Sequence, residues 1–115
     1  MKKPSNPIEI ALAMVSRSTC NVRVGAVIWD SAGIISWGWN SAGPSGMGQC
    51  AEIHALLRAN RSRLANSSIA IAGKRKASTV VTSFPCEKCF ARLQKYKLST
   101  VYIEQKDSQW IKIYI

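Results

Sequence analysis

The run Val22-Arg23-Val24-Gly25-Ala26-Val27-Ile28-Trp29 is the strongest constraint on the fold. It is almost unbroken in β-branched and apolar residues, the composition of a strand covered by protein on both faces. Asp30-Ser31-Ala32-Gly33 follows as a turn, and Ile34 to Trp39 reads as the returning strand of a hairpin. Ahead of the run, Asn6-Pro7 with Glu9 resembles a capping box with proline at the first helical position. Ile8, Ala11, Leu12 and Val15 fall on one face, predicting a helix over 7–17. Beyond the Gly/Pro/Ser loop Gly43 to Gly48, a helical pattern runs from Ala51 to about Arg61, with Ile53, Leu56 and Leu57 on one face. Ser68 to Ala72 and Thr79 to Ser83 are strand-like, separated by a basic turn, Gly73-Lys74-Arg75-Lys76. They are either a hairpin or one interrupted strand. Pro85 opens a further helix through Phe90 and Leu93, Thr100 to Ile103 is a strand, and Trp110 to Ile115 alternates at period two. Strands alternating with helices predict an α/β layered domain.

A chain of 115 residues has room for one such domain, spanning 1–115. Sixteen Lys and Arg against six Asp and Glu give +10, yet 47% of the residues are hydrophobic, which excludes a disordered basic tail. The charge therefore sits on a folded domain and favours polyanionic partners: nucleotides, nucleic acid or an anionic membrane surface. No apolar run approaches the roughly 18 residues of a membrane span. Met1-Lys2-Lys3 resembles a secretory n-region, but Pro4, Asn6, Pro7 and Glu9 break up any apolar segment after it, so a cytoplasmic location is expected. In that compartment Cys20, Cys50, Cys86 and Cys89 are expected to bind metal or stay free rather than form disulfides.

Two short motifs carry the chemistry: Cys50-Ala51-Glu52 and Pro85-Cys86-Glu87-Lys88-Cys89. A Cys-x-x-Cys pair at a helix start can put two sulfurs on one metal, and the helix N-terminus favours their thiolate forms. By itself the pair reads equally as a redox couple or a structural zinc knuckle. With Cys50 also starting a helix and Glu52 two residues on, the set has the ligand-x-Glu plus Pro-Cys-x-x-Cys signature of zinc deaminases. Three protein ligands leave the fourth position of zinc open for water, as catalytic zinc requires.

Over most of its length the chain resembles the cytidine and deoxycytidylate deaminase superfamily. Ser18-Thr19-Cys20 with Val24-Gly25-Ala26-Val27-Ile28 resembles the first strand of deoxycytidylate deaminases, and Ile34-Ile35-Ser36-Trp37-Gly38-Trp39-Asn40 their second. Trp39 stands where a tyrosine is usual. The resemblance implies a three-layer α/β/α cytidine-deaminase-like domain with a mixed sheet of about five strands. It implies Zn²⁺ held by Cys50, Cys86 and Cys89, and Glu52 as the catalytic proton shuttle. Asn40, Trp39, Ala51 and Pro85 are the implied substrate contacts. The expected reaction is hydrolytic deamination of a cytosine deoxynucleotide, dCMP to dUMP, by a homo-oligomer that engages no membrane. The alternatives are a deaminase acting on cytosine or adenine in single-stranded nucleic acid, and a zinc module that has lost catalysis.

Cys50 departs from the pattern, because deoxycytidylate deaminases usually carry His there and free-nucleoside cytidine deaminases Cys. Three thiolates make a Zn²⁺ site −1, where two thiolates and a neutral His leave it neutral. Cationic surroundings are then needed to keep bound water acidic. His54, four residues after Cys50, is an alternative ligand or a packed helix residue, and Cys20 a small buried hydrophobe or a second metal or redox group. Trp37 and Trp39 share one strand face as core, with stacking on substrate the sharper role for Trp39. Lys74-Arg75-Lys76 reads as a solvated turn or a phosphate contact.

Overall fold

In the computed structural model, residues 5–42, 49–75, 80–81, 84–105 and 109–115 are described. The central run forms β1 (Val22–Asp30), which pairs antiparallel with β2 (Gly33–Trp39) on one side and β3 (Ser68–Arg75) on the other. Beyond β3, β5 (Thr100–Glu104) joins in parallel, and β6 (Trp110–Tyr114) closes the order β2-β1-β3-β5-β6. The two residues of β4 (Val80–Val81) pair antiparallel with Gly73 and Lys74 of β3, so the hairpin alternative is the observed one. Five strands in line with one parallel pairing are the mixed sheet expected from the resemblance.

Alternation along the strands splits the core in two, as a strand period of two requires. Ala26, Ile28, Ile69, Ile71, Val101 and Ile103 pack with Ala51, Ala55 and Leu56 of α2 (Ala51–Arg58) and with Leu93 of α3 (Glu87–Lys95). On the opposite face Val27, Ala70, Ala72 and Tyr102 pack with Ile8, Ala11 and Val15 of α1 (Ser5–Val15). Helices on both faces explain why β1 and β3 carry hardly any polar residue over their central stretches.

Several boundaries differ from the sequence expectation. The first helix runs 5–15 rather than 7–17, so Asn6 and Pro7 lie inside its first turn. The second ends at Arg58. Ala59 is extended, and Asn60 accepts a hydrogen bond from the Ser62 amide (3.1 Å) to cap a short 3₁₀ turn, Arg61–Arg63. Asn competes for local backbone groups in this way and favours caps over helix interiors. The basic segment is not simply a turn: Lys74 and Arg75 belong to β3, paired with Arg23 and Val22. The loop Gly43 to Gly48, Lys76, Thr79 and Thr82-Ser83 lie outside the described residues. Among the described residues no helix is long and apolar enough to cross a membrane.

Candidate metal centre and active site

Both metal motifs sit at helix N-termini, and the backbone explains how each is held. Ser41 and Gln49 exchange backbone hydrogen bonds (3.0 and 2.9 Å), which pin the two ends of the intervening loop and deliver the chain to Cys50. Cys50 is the N-cap of α2; its carbonyl accepts from the His54 amide (3.0 Å), and its side chain makes no capping bond. Cys86 is the N-cap of α3, where its sulfur accepts from the Cys89 amide (3.4 Å). Cys89 lies in the first turn of the same helix and is buried.

The Sγ atoms of Cys50, Cys86 and Cys89 all lie within 4.8 Å of one another. Zn–S bonds of about 2.3 Å at tetrahedral angles put sulfurs roughly 3.8 Å apart, so a small contraction of this triangle seats the ion. The donor set is soft, and all four cysteines of the chain are free of disulfides. Burial pushes the Cys89 thiol far above its ordinary range and raises Cys50 as well, with the Glu52 charge adding to both. The Cys89 amide instead lowers Cys86. A divalent cation resolves this conflict, since it lets three neighbouring sulfurs lose their protons together.

Glu52 stands in the first turn of α2 at 5% exposure, and desolvation raises its carboxyl above the usual carboxylate range. It faces a cavity of about 370 Å³ lined by Val24, Asn40, Ser41, Gln49, Cys50, Ala51, Glu52, Phe84 and Cys86. A buried carboxyl on one cavity with Cys50 and Cys86, whose sulfurs group with that of Cys89, is an arrangement for moving protons next to a metal.

The remaining residues singled out from the sequence divide by position. Ala51 and Asn40 line the cavity. Asn40 also closes the hairpin end: its Oδ1 accepts from the Val24 amide and its Nδ2 donates to the Val22 carbonyl, each at 2.8 Å. Trp39 and Pro85 are not among the lining residues. The Trp39 ring stands edge-on to His54 with centroids 4.6 Å apart, and the backbone N–H and carbonyl of Trp39 both lie within hydrogen-bond distance of His54 Nδ1 (3.1 and 3.2 Å). His54 thus ties α2 to the outer strand and lies outside the three-sulfur group, as does half-buried Cys20. Sequence reasoning passed over four wall residues: Val24, Ser41, Gln49 and Phe84. Phe84 is 58% exposed directly before Pro85-Cys86, and an aromatic beside a ligand motif was the available signal.

Sheet, helices and sulfurs together define a three-layer α/β/α domain with a metal centre at two helix N-termini. Residues 1–105 match the family model described as the cytidine and deoxycytidylate deaminase zinc-binding region, and the chain belongs to that family. Its metal is Zn²⁺. No curated protein matches the sequence. Among solved structures the fold is similar to cytidine deaminase from Burkholderia pseudomallei, with TM-score 0.77 and 23% identity over 98% of this chain and 93% of that one. It is also similar to the cytidine deaminase from Mycobacterium leprae, with TM-score 0.62 and 19% identity over 90% and 87%. For the enzyme from Mycobacterium tuberculosis the TM-score is 0.57 at 19% identity, over 82% and 77%.

Proposed function

We propose that the chain hydrolyses the exocyclic amine from the cytosine ring of a nucleoside or mononucleotide, releasing ammonia. The observation that carries this reading is the buried Glu52 carboxyl on the same cavity as Cys50 and Cys86, two members of the three-sulfur group. Cys50, Cys86 and Cys89 would hold Zn²⁺, which supplies a Lewis acid that makes water acidic near neutral pH. Glu52 takes one proton of the attacking water and delivers it to ring N3, then carries the second, from the hydroxyl now on C4, to the amine as the C4–N bond breaks and ammonia leaves. One carboxyl serves as base and then acid, which suits a group whose burial keeps its affinity for protons high.

The described walls hold Asn40, Ser41 and Gln49 as neutral hydrogen-bonding groups, and no Lys or Arg is among the described lining residues. That supports a cytosine nucleoside ahead of dCMP, and a cysteine at position 50 points the same way. The net charge of +10 favours dCMP as the second reading. An ammonia-release panel over cytidine, deoxycytidine, dCMP, dCTP and a short oligonucleotide decides among them. Glu52→Gln is expected to keep stoichiometric zinc and lose about 10²- to 10⁴-fold in turnover. Near-normal turnover by that variant would remove Glu52 from the mechanism. Full zinc with no ammonia from any cytosine compound would identify a zinc module without catalysis. A homo-oligomer remains part of the proposal, supported by exposed Phe84 and Tyr114, and sedimentation of the zinc-loaded chain tests it.

A further inference from the structure

Along β2, away from the cavity, the chain builds a ladder of aromatic rings and guanidinium groups that the deaminase reading does not use. Asn40 lines the cavity, Trp39 is its neighbour, and Trp37 lies two residues further along the same strand face. Arg58, at the end of α2, places its Cζ 5.3 Å from the Trp37 ring centroid and 5.8 Å from that of Trp39. Arg17, just beyond α1, lies 5.4 Å over Trp39. The rungs therefore run Arg17, Trp39, Arg58, Trp37 across the open edge of the sheet. Trp37 is 38% exposed and both arginines are exposed, with a notch of about 100 Å³ lined by Ile35, Ser36, Trp37 and Arg58 alongside.

Neither arginine has an acidic partner among the described residues; the one ion pair found there joins Arg63 to Asp30 at 2.8 Å. Acid is scarce throughout. Of the six acidic residues, Asp30 is held by Arg63, while Glu52 and Glu104 are buried. A second copy of this chain would thus bring mostly like charge to the ladder. The complementary partner is an anionic polymer that also carries flat rings.

We propose that the Arg17–Trp39–Arg58–Trp37 edge binds single-stranded nucleic acid, with bases stacking on Trp37 and phosphates lying against Arg58 and Arg17. Stacking needs an exposed ring and tolerates any base, and the guanidinium groups supply sequence-independent attraction to the backbone. The site stands apart from the sulfurs and from Glu52, so it does not depend on the deaminase reading.

Titrating the zinc-loaded chain with a twelve-residue oligothymidylate, followed by quenching of tryptophan fluorescence, tests the proposal. Saturable binding at about 50 mM salt is expected, weakening steeply and log-linearly as salt rises. Trp37→Ala should weaken it about tenfold and Trp37→Phe should retain most of it, because a ring remains. Arg58→Ala should reduce the salt slope by about 0.7, the share of one phosphate on a single strand. Unchanged thermal midpoints in Trp37→Phe and Arg58→Ala keep the comparison meaningful. Absence of saturable binding overturns the proposal, as does binding that neither Trp37→Ala nor Arg58→Ala changes. A change in sedimentation on Arg58→Ala with oligonucleotide affinity intact would also overturn it, assigning the edge to self-association.

Discussion

Gly38 is the point where the fold and the metal centre meet most tightly. It lies in β2 opposite Ala26, on the face that α2 covers. A Cβ added there would stand 2.6 Å from the Ala55 amide nitrogen, 2.9 Å from the Ala51 carbonyl oxygen and 2.9 Å from the His54 Cβ. Two of these are helix backbone, which cannot swing aside as a side chain can. Restoring an ordinary contact of about 3.5 Å requires α2 to retreat by roughly 0.6 to 0.9 Å. The same helix carries Cys50 at its cap and Glu52 in its first turn, whereas Cys86 and Cys89 ride on α3. Metal sites tolerate ligand displacements of only about 0.2 Å, so Gly38→Ala should damage zinc binding without touching a ligand. Overpacking of this kind typically costs about 1–3 kcal/mol, which for a domain of this size lowers the thermal midpoint by about 4 °C per kcal/mol. Calorimetry of the metal-free chain, paired with zinc competition against a chromophoric chelator, measures both effects. A variant with an unchanged midpoint and wild-type zinc affinity would show that close approach at Gly38 does not seat α2.

Other substitutions probe separate parts of the same construction. Cys89→Ser should bring the zinc content below one ion per chain in a mild chelator that the wild-type chain withstands, read by elemental analysis. Leu93→Ala, at a fully buried position of α3, should cost about 2–5 kcal/mol in denaturant unfolding. The Arg63 guanidinium, with help from the Ala32 amide, holds the Asp30 carboxyl below its usual range. A depressed folded-state value means this contribution is present above the unfolded value, about 3.9, and is lost as pH falls through the folded one. Asp30→Asn should therefore flatten the acid limb of the stability curve, and an unchanged acid limb would remove the pair from the account.

What the sequence disclosed and what it concealed follow from the range of the interactions. The spacing within Cys50-Ala51-Glu52 and Pro85-Cys86-Glu87-Lys88-Cys89 is local, so two helix starts and their ligands could be read directly. The covered faces of β1 were equally legible, because helices on both sides leave no position for a polar alternation. Strand order was not: nothing in Ser68–Arg75 or Thr100–Glu104 says that they lie parallel, since that pairing is made across α3. Lys74 and Arg75 suggested a turn because charge usually marks one. They are tolerated in β3 because it runs past the end of β5: β1 still pairs on one side, but on the other only the two residues of β4 flank it, opposite Gly73 and Lys74. The contact of Trp39 with His54 was not legible either, because it joins the backbone amide at the sheet edge to a side chain of α2, 15 residues away in sequence.

The third thiolate raises a question of charge that the helices answer. Three thiolates around Zn²⁺ leave the centre at −1, yet the cavity has no Lys or Arg among its described lining residues. Cys50 caps α2, Cys86 caps α3 and Cys89 sits in the first turn of α3, so every ligand meets the positive end of a helix. Each such end is equivalent to roughly +0.5 of an elementary charge, and two of them offset about one negative charge without any basic side chain. Arg58 lies at the opposite end of α2, about 12 Å along its axis at 1.5 Å per residue. Basic side chains are therefore not required at the metal, and those along the outer strand are free to meet an anionic partner at the surface.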